Sequence, residues 1–126
     1  MKLTSIEKLY TLLKSFSETP MPIHLAYKIT KLLPSVETDY SFYLEKTREI
    51  IIKYAKKDDQ GNPIPDENGN VSLETENISL AEKELLELSD IEIDLPNITF
   101  SLDELESLTM TPSDLQVLLP FIEDQE

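Results

Sequence analysis

The chain has 126 residues, 40% of them hydrophobic, with two glycines, eight prolines, no cysteine and no tryptophan. That length suits one domain with a real core, and the missing cysteines exclude a disulfide framework, a thiolate metal site and a cysteine nucleophile. The net charge of −14 is unevenly placed: residues 1–57 hold 10 Lys and Arg against 6 Asp and Glu (+4), while residues 58–126 hold 1 against 19 (−18). Such an acidic half disfavours phosphate backbones and anionic lipid surfaces, which draw on Lys and Arg.

The opening Met1-Lys2-Leu3-Thr4-Ser5-Ile6-Glu7 is too charged for a signal-peptide core, and no later window approaches the roughly 18 apolar residues of a membrane span, so a soluble protein is expected. Thr4 and Glu7 have the spacing of a capping box, after which Leu3, Ile6, Leu9, Tyr10, Leu13 and Phe16 fall on one side of a helix. Pro20 and Pro22 end it near Ser17 and turn the chain back antiparallel.

The second helix is the longest element. Ala26, Ile29, Leu33, Val36, Tyr40, Tyr43, Thr47, Ile50 and Tyr54 recur in an unbroken alternation of three and four, a heptad seam. A second apolar set, Leu25, Leu32, Phe42, Leu44, Ile51 and Ile52, widens the face and requires a further cover. Pro34 removes one helical hydrogen bond, yet the seam keeps its phase across it. The expectation is therefore a kink at Thr30–Leu33; a break with Ser35 capping a fresh helix is the alternative. Lys53, Lys56 and Lys57 suit the exposed carbonyls of a helix C-terminus.

Asp58-Asp59-Gln60-Gly61-Asn62 and Asp66-Glu67-Asn68-Gly69-Asn70 then share one pattern at an offset of eight. Asn68-Gly69 is a type I′ signal, so Pro63–Asp66 and Val71–Leu73 are expected as a short hairpin with a proline-bearing edge arm. Ser79 and Glu82 form another capping box for a helix carrying Leu80, Ala81, Leu85, Leu86 and Leu88. Ile91-Glu92-Ile93-Asp94-Leu95 alternates as a half-buried strand does, and Ile98 and Phe100 continue the alternation after Pro96. Ser101 with Glu104, and Thr111 with Pro112 and Asp114, start two short C-terminal helices. Pro120 shortens the last of them.

The predicted fold is mainly α with a small β component: a helical hairpin or bundle built on one long kinked helix (about 22–57), a β-hairpin projection (about 63–73), a short strand region (91–100) and two short C-terminal helices. Its organisation is a single helical domain over 1–122, with a hairpin insertion at 58–76 and an acidic tail at 123–126.

Chemistry is sparse. His24 is the single histidine and has no partners at ligand spacing, and no nucleophile elbow, phosphate-cradling glycine loop or dinucleotide fingerprint occurs. Carboxylate pairs such as Glu84 with Glu87 arise by frequency among 25 acidic residues. The acidic turns do not match a calcium loop, whose glycine falls at the sixth position. No catalytic, cofactor or metal site is therefore expected. Tyr27, Tyr40, Phe42, Tyr43 and Tyr54 near Lys28, Lys31, Lys46, Arg48 and Lys53 could stack on bases, but their helical spacing favours core or interface, and the acidic half opposes direct nucleic-acid binding.

The lysine-bearing amphipathic helix, the stretch Gly61-Asn62-Pro63-Ile64-Pro65-Asp66-Glu67-Asn68-Gly69-Asn70, and the ending from Leu102-Asp103-Glu104-Leu105 to Leu118-Leu119-Pro120-Phe121-Ile122 together resemble a group of small uncharacterised proteins encoded by bacteriophages. The likeness spans roughly residues 20–122 in layout and carries no functional residues across. It implies a setting in the host cytoplasm or the virion. With the seam it suggests a non-enzymatic interaction protein that binds a host or phage protein, or itself as a homo-oligomer, and that touches neither membrane nor nucleic acid. The interaction seam is Ile29, Leu33, Val36, Tyr40, Tyr43, Ile50 and Tyr54. The alternative is an acidic nucleic-acid mimic that inhibits a host defence or DNA-binding protein, with Glu82, Glu84 and Glu87 as its candidate surface.

Overall fold

Residues spaced three and four apart share a face only while the backbone keeps one helical phase. Here the chain does so for 32 residues: α2 runs without interruption from Ile23 to Tyr54, with Pro34 inside it. The structure, a computed structural model, describes residues 1–65, 67–69 and 71–123. Among them α2 is joined by α1 (Ile6–Phe16), α3 (Ile78–Ser89), α4 (Leu102–Leu105) and α5 (Pro112–Leu118). The helix does not restart at Ser35. On either side of the proline, Thr30 Oγ1 donates to the Ala26 carbonyl at 2.8 Å and Thr38 Oγ1 to the Pro34 carbonyl at 3.0 Å.

The core lies against the first half of α2. Ile6, Leu9, Leu13 and Phe16 of α1 close on Leu25, Ile29, Leu32 and Val36, and Phe100, Leu105, Leu118 and Phe121 cover them from the C-terminal segment. Burying each such side chain contributes about 1.5–3 kcal/mol before chain entropy is counted. α3 packs along α2, α1 touches α5, and the residues ahead of α1 meet both α2 and α3.

Two of the expected caps are absent. Leu3–Ser5 forms a 3₁₀ turn, and Ser5 stands ahead of α1 without a side-chain bond, so Thr4 and Glu7 make no capping box. The reason is tertiary: Leu3 is buried, and its amide donates to the Ile91 carbonyl at 2.8 Å, which fixes the direction of entry. α3 begins at Ile78 after a 3₁₀ turn over Thr75–Asn77, which puts Ser79 inside the first turn where its hydroxyl cannot cap. The two C-terminal boxes do form. Glu104 N donates to Ser101 Oγ at 3.1 Å and Ser101 N to Glu104 Oε1 at 3.0 Å; Asp114 N donates to Thr111 Oγ1 at 3.1 Å and Thr111 N to Asp114 Oδ2 at 3.2 Å.

The alternating segment after α3 is not a regular strand. Glu92 bridges Lys2 antiparallel, with Ile93 N donating to the Met1 carbonyl at 3.0 Å, and the pairing is an isolated bridge. Phe100 bridges Ile122 in parallel, donating to the Phe121 carbonyl at 2.7 Å and accepting from Glu123 N at 2.9 Å. Glu123 is thus tied into the fold rather than opening a tail; the rest of that tail, 124–126, lies outside the described residues.

α2 ends at Tyr54, not near Lys57, because the backbone turns extended at Ala55 and enters β pairing. Here the eight-residue repeat acquires a structural meaning. Ile64 N donates to the Lys56 carbonyl at 2.8 Å, Ser72 N to the Ile64 carbonyl at 3.2 Å, and Lys56 N closes the ring on the Ser72 carbonyl at 2.8 Å. Antiparallel bridges Lys57–Pro63 and Pro65–Val71 repeat at the same offset, and Ala55–Leu73 joins the ends. Gly61 and Gly69 share a φ of 82°, while no other described residue has positive φ. That excludes the type I′ turn expected at Asn68-Gly69, which needs the left-handed region at both positions. The first repeat instead turns over Asp58 to Gly61, with Gly61 N donating to the Asp58 carbonyl at 3.0 Å and Asp58 Oδ1 accepting from Gln60 N at 2.9 Å and Asn62 N at 3.0 Å. Asp66 and Asn70, which fall in the expected hairpin, lie outside the described residues.

Candidate functional site

The seam of α2 is consumed unequally along its length. Ile29 and Val36 are buried in the core, and Leu33, Tyr40, Tyr43 and Ile50 are half-buried against it. Tyr10 of α1 stacks on Tyr40, ring centroids 4.5 Å apart and planes 12° from parallel. Those positions therefore serve the chain's own packing. α1 goes little further, because Leu3, ahead of it, already lines a hollow with Asp39, Phe42 and Ile91. α2 continues for 14 residues past Tyr40, about 21 Å at 1.5 Å per residue, with α3 beside it and no α1 above.

Along that second half the packing changes character. Among the described residues of α2 beyond Val36 and of α3, only Ala81 and Leu88 are buried; Ala55 joins them just past the helix. Lys53 Nζ meets Glu84 Oε1 at 3.0 Å and fixes which flank of α2 faces which flank of α3. With 3.6 residues per turn, Leu44 and Ile51 stand about 160–180° round α2 from Lys53, and Ile78 and Leu85 about 100–120° round α3 from Glu84. Both rows therefore open to the side opposite the ion pair. Leu44 is 46% exposed and Ile78 39%, whereas Ile51 and Leu85, in the same two rows, are half-buried. The result is an apolar ledge, bounded by the N-terminal segment at one end and by the bridged residues 55–73 at the other.

The charged side chains divide by flank. The Tyr54 hydroxyl and the Lys53 ammonium beside Glu84 hold its carboxyl below the ordinary range, and Glu84, followed by Tyr54, raises Lys53. Tyr54, the last seam residue, thus serves this cluster, with the Lys53 ammonium 5.0 Å from its ring centroid. Glu82 and Glu87 are exposed. The candidate acidic trio is therefore not a bare row, since its central member is paired with a cation. The aromatic and basic residues of α2 also pair within the chain: Lys31 lies 5.5 Å from the Tyr27 ring centre and Lys46 lies 5.8 Å from that of Phe42.

A wide groove lies between α1 and α5, lined by Glu7, Lys8, Thr11, Asp114, Gln116 and Pro120 among others. Ser5, Ser15 and Ser113 line it with Glu7 and Asp114, and His24, exposed on α2, is not among its lining residues. Among the described residues no three His, Cys, Asp or Glu side chains group so as to hold a metal ion, and no helix is long and apolar enough to cross a membrane. Comparison with protein-family models, with curated proteins and with solved structures finds no match to this chain.

Of the ledge residues, Leu44 and Ile51 belong to the second apolar set on α2, which called for a further cover. Ile78 was not legible as part of a surface. It precedes the anticipated start of α3, and only a helix opening one turn-position earlier aligns it with Leu85, seven residues on.

Proposed function

We propose that this is a non-enzymatic helical interaction protein, phage-encoded, whose work is to bind a protein through the second half of α2 and α3. One observation carries the reading: α1 stops near the level of Tyr40 while α2 and α3 run on with Leu44 and Ile78 exposed on a shared apolar face. A helix pair that lacks its third layer leaves apolar area in water, and covering it is the favourable step in association. Virion assembly and host takeover both fit such a role. The acidic-mimic alternative has less support, because Lys53 and Tyr54 engage Glu84 and leave Lys83 between Glu82 and the rest of the row.

The test is a photo-crosslinking amino acid placed at Leu44, with Ile23, 80% exposed at the other end of α2, as control. Irradiation in the producing cell should give a protein adduct from position 44 and none from position 23. Equal yields, or none from 44, would refute the reading.

A further inference from the structure

We infer that Asn68 is a self-modifying site: the Gly69 backbone nitrogen attacks the Asn68 side-chain amide, and the isoaspartate that results loosens the β-bridged insertion tying the end of α2 to the start of α3. The step needs only water. The Gly69 nitrogen bonds to Asn68 Cγ and gives up its proton as ammonia leaves, closing a five-membered succinimide. Hydrolysis then opens either ring carbonyl, to an aspartate or to an isoaspartate whose main chain runs through the former side-chain carbon. Five asparagines carry the reacting amide, and the fold discriminates among them. Asn62 precedes Pro63, which has no N–H to give up. The amide after Asn77 belongs to Ile78 and donates to the Thr75 carbonyl; that after Asn97 belongs to Ile98 and donates to the Pro96 carbonyl at 2.8 Å. Both isoleucines are also branched at Cβ, which crowds a closing ring. Asn70 lies outside the described residues. Asn68 is exposed on its turn, and Gly69 brings no side chain, with open space where a Cβ would stand.

The insertion contains its own control. Gln60-Gly61 stands in the first repeat where Asn68-Gly69 stands in the second, and the two glycines share a φ of 82°. Glutamine has one more methylene, so its amide carbon meets the next nitrogen only in a six-membered ring, a poorer near-attack geometry. The consequence follows from how the insertion closes. Isoaspartate lengthens the main chain by one carbon inside the loop that the Pro65–Val71 bridge spans, and loop length sets the register of such a pairing. Ile64 N, Ser72 N and Lys56 N donate in turn to the carbonyls of Lys56, Ile64 and Ser72, so a shift at one side of this ring reaches the other two. The Lys56–Ser72 side, with Glu74 N donating to the Tyr54 carbonyl at 3.3 Å, is what joins the end of α2 to the approach to α3.

The full chain, incubated in mildly alkaline buffer and followed by peptide mass mapping, should gain about 1 Da in the peptide holding Asn68. That gain should be about tenfold or more faster than at Gln60, Asn77 or Asn97. Labelling by an isoaspartate-specific methyltransferase should rise with it, and Asn68→Gln, which copies the first repeat, should stay unlabelled. Hydrogen exchange at the amides of Lys56, Ile64 and Ser72 should be faster in aged wild type than in fresh protein. Asn68→Asp carries the new charge on an ordinary main chain and should exchange at those amides as fresh wild type does. An Asn68 that stays intact, or modification that comes as fast at Gln60, Asn77 or Asn97, overturns the site. Exchange that is unchanged by ageing, or raised equally by Asn68→Asp, overturns the consequence assigned to the isoaspartate.

Discussion

At Lys28 three interactions meet. Its ammonium donates to the Thr99 carbonyl and to Glu104 Oε1, each at 2.7 Å, and lies 5.8 Å from the centre of the Phe100 ring. Lys28, followed by the Ser101 amide, holds the Glu104 carboxyl below the ordinary glutamate range. A group whose folded value lies below its unfolded one stabilises the fold above the unfolded value and loses that contribution as pH falls through the folded value. Glu104→Gln should therefore lower the chemical-denaturation midpoint at pH 7 and converge with wild type once pH has fallen through the folded value. Asp39 carries the opposite sign, because burial raises its carboxyl. Its contribution is present at low pH and is lost as pH rises through the folded value. Asp39→Asn should raise the melting temperature at pH 7 by on the order of 2 °C and leave it unchanged at pH 3. The Ser101–Glu104 cap was legible in the sequence because both partners sit within four residues. Lys28 was not assignable to it, being 76 residues from Glu104, and only packing brings the two together.

Among the elements, α2 holds a proline that local propensity forbids. Pro34→Ala restores the amide that can reach the Thr30 carbonyl and removes the ring clash, so it should stabilise the protein by up to about 3 kcal/mol in urea titration. A loss of stability instead would mean that the neighbouring helices are shaped to the proline. The β-bridged insertion offers a paired test. Gly61 and Gly69 both have φ of 82° with open space where a Cβ would stand, so Gly61→Ala and Gly69→Ala should destabilise to a similar degree, about 1 kcal/mol each. Unequal losses would show that the two repeats are not equivalent supports. Helix caps divide along the same line: the boxes at α4 and α5 form because those short helices follow extended residues, whereas α1 and α3 are entered through 3₁₀ turns that tertiary pairing imposes.

Over the whole molecule the core is lopsided. Phe100, Leu32, Val36 and the α1 face are sealed, whereas Ile51, Leu85 and Leu44 stand outside the main cluster. Phe100→Ala should cost about 3–5 kcal/mol and Leu44→Ala less than about 1 kcal/mol in the isolated chain. Amide exchange should be slowest in α1 and the first half of α2 and faster in α3 and residues 55–73, since local opening follows the density of buried apolar contacts. The heptad pattern by itself pointed to one long helix over about 22–57, three residues past its actual end at Tyr54, with Ile29, Val36, Tyr43 and Ile50 turned inward, because a stripe spaced three and four apart is buried only if one helical phase is kept. Which part of that stripe would be left open was decided by tertiary structure alone. It depends on where α1 ends against α2 and on how the bridged insertion returns α3, and those distances are set by packing between segments far apart in the chain, of which no local pattern carries a trace.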